Sequence, residues 1–114
     1  MLDRDKIVQI LASGTKELNE YKEYVAARKA VEEIPELLER VNEYRMKNYT
    51  FQRSHGNVNS EVIEDLARLR EELVREKAAR EYLRAELAFC RSMQDIVTGV
   101  VKELDFELGF DLYQ

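Results

Sequence analysis

The sequence predicts an all-α protein, and three observations support that fold class. The chain of 114 residues contains only four glycines and one proline, so few turns are expected. Charged residues make up 36% and hydrophobic residues 45% of the chain, which is too apolar for a disordered segment and typical of amphipathic helices. Between Asn59 and Leu104 there is no proline and a single glycine, Gly99. This stretch is therefore predicted to be almost entirely helical.

The first two predicted helices are short. Asp3 is expected to cap the first of them, and its apolar side chains at helical spacing are Ile7, Ile10 and Leu11. Gly14 suits the position that follows a helix, and Thr15 can cap a second helix that ends near Val31. We therefore expect an interruption at 13–15 between the two helices.

The third predicted helix begins at Pro35, because the first turn of a helix tolerates proline. The residues expected on its packing face are Ile34, Leu38, Val41, Tyr44 or Arg45, Asn48 and Phe51. Residues 54–59 (SHGNVN) have the composition of a loop. Asn59 or Ser60 is then expected to cap the segment that follows.

The long segment after the loop carries a regular apolar stripe that alternates four- and three-residue steps. Its first members are Val62, Leu66, Leu69 and Leu73. Continuing the same register reaches two polar residues, Glu76 and Arg80, before the stripe resumes at Leu83. This interruption favours a kink near Lys77–Ala79, and a straight helix with a polar middle is the alternative.

We expect the third helix and the first half of the long segment to form an antiparallel helical hairpin, with the two shorter N-terminal helices packed on it. Residues 1–104 are predicted to be a single helical domain. The second half of the stripe is broad and needs two or more neighbouring helices, which favours a homodimeric bundle. The predicted interface residues are Leu83, Leu87, Cys90, Val97, Val101 and Leu104.

Residues 105–114 are predicted to be an acidic and apolar C-terminal tail. Its apolar residues alternate with polar ones and glycine, a period of two that helices do not use; the residues expected to dock are Phe106, Leu108, Phe110 and Leu112. Three interpretations stay open. The tail docks within the same assembly, it frays, or it recognises another protein.

No motif in the chain indicates catalysis, a cofactor or a metal. Cys90 lies on the apolar stripe, where a buried thiol acts as a small hydrophobic group, so core packing is expected. His55 lies in the predicted loop without a second histidine nearby, so an exposed turn residue is expected. Paired carboxylates, as at Glu71–Glu72, are expected on solvated helix faces. We therefore predict a protein that is not an enzyme and binds no cofactor.

Charge and composition also limit the partners. The formal net charge is −5, which disfavours nucleic-acid binding by a basic surface. The alternative is an accessory RNA-binding factor that uses tyrosines interleaved with basic residues; the tyrosines of this face are Tyr21, Tyr24, Tyr44 and Tyr49. No apolar run approaches the roughly 20 residues that span a bilayer. A single cysteine fits a reducing compartment, so a cytoplasmic location without membrane association is predicted.

Several short segments, taken in their order and spacing, resemble the YlbF/YmcA family of small bacterial helical proteins, which includes YheA-like members. The segments that carry the likeness are Glu17–Tyr21 (ELNEY), Ala27–Val31 (ARKAV), Pro35–Leu38 (PELL), Val41–Arg45 (VNEYR) and Tyr82–Glu86 (YLRAE), followed by Ile96 and Val100. The likeness covers nearly the whole chain, and the YLRAE segment is the most distinctive.

This resemblance implies a cytoplasmic, all-α, commonly oligomeric protein without known catalysis. Some family members act in a regulatory complex that affects competence, sporulation, biofilm formation and RNase Y-dependent RNA processing. Those members carry additional cysteines, whereas this chain has Cys90 alone, and one thiolate cannot hold an iron–sulfur cluster. The sequence therefore predicts a non-enzymatic regulator or adaptor, closest to the YheA-like members, that acts through protein–protein association.

Overall fold

The structure is a computed structural model that describes residues 1–54 and 59–105. Within these residues the chain forms five α-helices and no strands, which confirms the predicted all-α class. The helices are α1 (Arg4–Thr15), α2 (Asn19–Glu32), α3 (Pro35–Arg53), α4 (Ser60–Val74) and α5 (Lys77–Glu103).

Side chains at three helix starts act as the sequence predicts. The Asp3 carboxylate accepts a hydrogen bond from the Lys6 amide at 2.9 Å and caps α1. Pro35 occupies the first turn of α3, where its missing N–H costs no hydrogen bond. The Asn59 side-chain oxygen accepts from the Val62 amide at 3.1 Å and caps α4. These starts are set locally, by one side chain and its own first turn.

The predicted interruption at 13–15 is wrong. Helix α1 continues to Thr15, and the connection to α2 lies at Lys16–Leu18. The Thr15 hydroxyl donates to the Leu11 carbonyl at 2.7 Å, so it bonds back into α1 and does not cap α2. Gly14 stays helical because glycine in a helix carries only a cost of roughly 0.5–1 kcal/mol, which is too small to end the helix by itself.

The long C-terminal segment is broken, as the two polar residues in its stripe predicted. The break falls at Arg75–Glu76, just before the expected position at Lys77–Ala79. The Arg80 guanidinium donates to the Val74 carbonyl at 2.8 Å, which satisfies one of the carbonyl groups left without a partner at the end of α4.

The chain forms two compact units. Unit 1 comprises Met1–Val25 and Arg84–Gln114, and unit 2 comprises Ala26–Leu83. Helices α2 and α5 contribute residues to both.

Unit 2 contains every buried hydrophobic residue of the described chain. These residues are Val31, Leu37, Val41, Tyr44, Leu66, Leu73, Ala79 and Tyr82. Helix α3 packs against α4, and the Arg45 guanidinium lies 6.0 Å from the centre of the Tyr82 ring. The predicted α3 register is correct at Val41 and Tyr44 but not at its start, where Leu37 is buried and Ile34 is 46% exposed. Ile34 is the N-cap residue with non-helical backbone angles, so helical periodicity does not fix its direction.

Unit 1 is held by aromatic contacts between α2 and α5. The Phe89 ring lies 5.4 Å from that of Tyr21 in an edge-on arrangement and 5.5 Å from that of Tyr24 in a stacked one, measured between ring centres. Such pairs contribute about 0.5–1.5 kcal/mol beyond the area they bury. No described residue of unit 1 is fully buried.

Replacing Leu73 with alanine tests whether the unit 2 core determines stability. Leu73 is 1% exposed, so Leu73→Ala should lower the free energy of unfolding by about 2–5 kcal/mol. The control is Ile63→Ala on the same helix, where the side chain is 50% exposed and the loss should stay below about 1 kcal/mol. Urea denaturation followed by far-UV circular dichroism measures both, and equal losses would contradict the assignment of the core.

Candidate association surface

The structure places most of the predicted interface residues at the surface of α5. Leu87, Val97 and Leu104 are 53%, 51% and 70% exposed. Cys90 is also exposed and Val101 is half-buried. These five residues lie in unit 1, and we call them the α5 seam. The sixth predicted residue, Leu83, is half-buried and is the last residue of unit 2.

Helix α5 is apolar on two different faces. Leu87 and Phe89 are two residues apart, and because a helix turns about 100° per residue they point in nearly opposite directions. Phe89 contacts Tyr21 and Tyr24 within unit 1, whereas Leu87 is exposed. Met93 and Val100 lie within about 40° of Phe89 around the helix, and they are still 47% and 42% exposed. One face of α5 therefore packs within the chain, and the α5 seam lies open at its surface.

Helix α1 adds a second exposed apolar surface to unit 1. It has no buried residue, and its exposed apolar side chains are Ile7, Val8, Ile10 and Leu11, preceded by Leu2. A monomer normally shows scattered exposed hydrophobic residues, whereas contiguous ones mark interaction sites. Within unit 1, both α1 and α5 therefore expose several large apolar side chains.

The expectation that Cys90 packs in the core is wrong for the isolated chain. Its side chain lies with the exposed residues of α5. The spacing that places Cys90 on the apolar stripe is correct, but this stripe is not covered by the rest of the chain. Sequence periodicity identifies an apolar face and does not tell which partner covers it.

Other sequence-predicted positions divide into two groups. The carboxylates of Glu71 and Glu72 are exposed as expected, and Glu71 lies 3.6 Å from Arg75. His55 and the tail residues Phe106, Leu108, Phe110 and Leu112 lie outside the described residues.

The tyrosines predicted as a nucleic-acid face are mostly engaged in protein contacts. Tyr21 and Tyr24 pack on Phe89 in unit 1, and Tyr44 is buried in unit 2. Tyr49 is 57% exposed, and its hydroxyl accepts a hydrogen bond from Arg53 at 3.1 Å. The contacts of these side chains favour structural roles for three of the four.

Sequence reasoning did not identify an apolar groove between α3 and α4. It encloses about 340 Å³, and its apolar wall is formed by Met46 and Phe51 of α3 with Val62 and Leu66 of α4. Lys47 and Asp65 also line it. Periodicity places Phe51, Val62 and Leu66 on apolar stripes, but it cannot reveal the groove, because the pattern of one helix does not specify how closely a second helix approaches it.

An ion pair crosses the groove between the two helices. The Lys47 ammonium lies 3.1 Å from Asp65 and 3.0 Å from Glu43, and Arg68 also pairs with Asp65. Hydrogen bonding to Glu43 and then to Asp65 raises the pKa of Lys47. The hydrogen bond from Lys47, assisted by Arg68, lowers the pKa of Asp65.

The two pKa shifts define how pH affects this link. Ionised Asp65 stabilises the folded chain above the ordinary aspartate pKa, and this contribution is lost as the pH falls through the lowered value. Charged Lys47 stabilises it below the ordinary lysine pKa, and this contribution is lost as the pH rises through the raised value. The bridge is therefore complete across the neutral range.

None of the five described helices combines the length and apolarity required to span a bilayer. Within residues 1–54 and 59–105, no three His, Cys, Asp or Glu side chains come together as metal ligands could.

Fold and surface define a small all-helical protein with exposed apolar faces suited to association. A sequence model of the family described as "Control of competence regulator ComK, YlbF/YmcA" matches residues 6–105. The match covers most of the chain, so this protein belongs to the YlbF/YmcA family, as its short segments predicted. No curated protein and no solved structure is significantly similar to it.

The Lys47–Asp65 bridge can be tested by titration. In the wild-type protein the Asp65 carboxyl group should titrate below the ordinary aspartate value, and Lys47→Met should raise its midpoint because the main hydrogen-bond donor is removed. NMR spectroscopy of the Asp65 side-chain carboxyl carbon, followed as a function of pH, measures this titration midpoint. The control is Lys22→Met, which removes a lysine 4.0 Å from Glu17 in unit 1 and should leave the Asp65 midpoint unchanged. An ordinary midpoint in the wild type would contradict the bridge.

Proposed function

We propose that this protein is a cytoplasmic, non-enzymatic regulator that acts by protein–protein association, and that it forms a homodimer through unit 1. The proposal depends on one observation, which is that apolar side chains are buried in unit 2 but largely exposed in unit 1. Unit 1 has no fully buried residue among those described, yet it presents apolar faces on both α1 and α5. Each fully buried Leu, Val or Ile contributes about 1.5–3 kcal/mol, so covering these faces gives a large gain.

The size of the faces supports the participation of α1 together with α5. From Leu87 to Leu104 the α5 seam runs about 25 Å along the helix, and a helix is roughly 10 Å wide. The projected area of roughly 250 Å² is well below the approximately 800 Å² per partner that stable interfaces bury. The exposed apolar residues of α1 extend the surface, so both helices belong to the proposed interface.

A regulatory role agrees with the family, whose description refers to control of the competence regulator ComK. In this proposal the apolar faces of unit 1 supply the affinity for the second copy. The charged helix faces keep the assembly specific, because unpaired charges disfavour incorrect partners. The protein then acts as a helical adaptor and contributes to control of a competence regulator of the ComK type.

Sedimentation of the purified protein tests the homodimer. Leu87→Asp should weaken association by at least about tenfold, because it places an unpaired carboxylate in the interface and a two-fold dimer contains the change twice. The matched control is Ile63→Asp in unit 2, where the replaced side chain is 50% exposed against 53% for Leu87. The control should sediment as the wild type does. A wild-type protein that stays monomeric at all concentrations would refute self-association.

A reporter assay tests the link between association and regulation. In a strain that lacks the gene for this protein, the output of a competence-regulator reporter should change. The wild-type gene and the Ile63→Asp control should restore it, whereas Leu87→Asp should not, because the dimer is lost. Restoration by Leu87→Asp at equal protein level would show that regulation does not require the dimer.

A further inference from the structure

The groove between α3 and α4 has an apolar wall beside an acidic rim. Met46 and Phe51 face Val62 and Leu66 across about 340 Å³. Met46 is 67% exposed although it lines the groove, so its side chain is available to a partner. A concave apolar surface of this kind suits one or two anchoring side chains of an amphipathic helix.

The acidic rim belongs to the first two turns of α4. An open depression of about 450 Å³ shares Val62 and Asp65 with the groove and is also lined by Glu61 and Glu64. Asp65 is neutralised by Lys47 and Arg68, but Glu61 and Glu64 are exposed and make no ion pair within residues 1–54 and 59–105. The depression that contains both carboxylates adjoins the groove at Val62 and Asp65. Glu61 directly precedes Val62, whereas Glu64 lies farther round α4 from the apolar wall.

Three occupants of the groove are possible, namely the C-terminal tail, a second copy of the chain and a partner protein, and they differ in charge. The C-terminal tail of this chain contains Asp105, Glu107 and Asp111 and no lysine or arginine, so its charge opposes that of Glu61 and Glu64. A second copy carries a net charge of −5, so it brings no excess of positive charge to this acidic rim, whereas the proposed dimer interface of unit 1 is apolar. A basic partner segment would gain from the same carboxylates, because complementary potentials favour association.

We infer that the α3–α4 groove docks a basic amphipathic helix of a partner protein, with an apolar side chain against Met46 and Val62 and a lysine or arginine beside Glu61 and Glu64. This inference rests on the proposed function, because it names the surface by which the adaptor holds its partner. The groove lies in unit 2, whereas the proposed dimer interface lies in unit 1, so the two can be tested separately.

The test uses two synthetic amphipathic helices with the same leucine pattern, one with lysines and the other with glutamates on its polar face. Fluorescence anisotropy of each labelled peptide with the full-length protein gives the affinity. The lysine peptide should bind at least about tenfold more tightly than the glutamate peptide at low salt, and added salt should reduce the difference. Equal affinity of the two peptides, or no binding of the lysine peptide, would overturn the inference.

Variants locate the binding site. Met46→Ser should weaken binding of the lysine peptide by about five- to tenfold, and Glu64→Gln by about two- to fivefold. Both side chains are exposed, so the helical circular dichroism should stay unchanged. The matched controls are Met93→Ser on α5 and Glu36→Gln at the start of α3, which should bind as the wild type does. A loss with Met93→Ser but not with Met46→Ser would assign the peptide to the α5 surface and overturn the inference.

Two further measurements complete the test. Tighter peptide binding after deletion of residues 106–114 would show that the tail of this chain occupies the groove, and would also overturn the inference. Sedimentation of Met46→Ser should match that of the wild type, and Leu87→Asp should retain peptide binding. For the wild-type protein, a dimer that does not bind the lysine peptide refutes only the groove, and a monomer that binds the lysine peptide refutes only the proposed self-association.

Discussion

The uneven burial of apolar side chains is the constraint on which the rest of this structure depends. Every fully shielded hydrophobic residue of the described chain lies between Val31 and Tyr82. Net stabilities of domains are only about 5–15 kcal/mol, so apolar surface left in water is a significant loss. In unit 2, packing among α3, α4 and the start of α5 buries apolar side chains within the chain itself. Unit 1 leaves its largest apolar faces open, and this difference motivates the assignment of association to unit 1.

Polar contacts in unit 2 also help to align α3 with α4. Lys47 of α3 reaches Asp65 of α4 while it also bonds Glu43 one turn back on its own helix. These groups are exposed, so the bridge contributes little to stability compared with the buried leucines. Its consequence is geometric, because it links α3 to α4 beside Met46 and Val62 in the lining of the groove. The same bridge neutralises Asp65 and leaves Glu61 and Glu64 as the acidic groups of the rim.

The features that could be predicted from the sequence are those set by neighbouring residues. Asp3, Pro35 and Asn59 fix helix starts through contacts within one turn, and a local pattern is sufficient to recognise them. Gly14 misled the prediction because a glycine is compatible with a helix end but does not require one. Cys90 misled it for another reason, since a period of 3.5 marks an apolar face whether or not the chain covers that face. The groove at Met46 could not be predicted, because the approach of α3 to α4 brings together residues far apart in sequence.

The apolar stripe of the C-terminal segment differs in exposure before and after the helix break at Arg75–Glu76. Before the break its members Leu66 and Leu73 are buried within unit 2; after the break Leu87 and Val97 are exposed. Glu76 and Arg80 occupy the two stripe positions between these halves and are exposed. Transfer of a charge into an apolar contact without a partner of opposite charge is unfavourable by several kcal/mol, so these two positions oppose an extension of the interface proposed for unit 1 past Arg80. The two charged residues therefore limit any association along this stripe to the part of α5 that follows them.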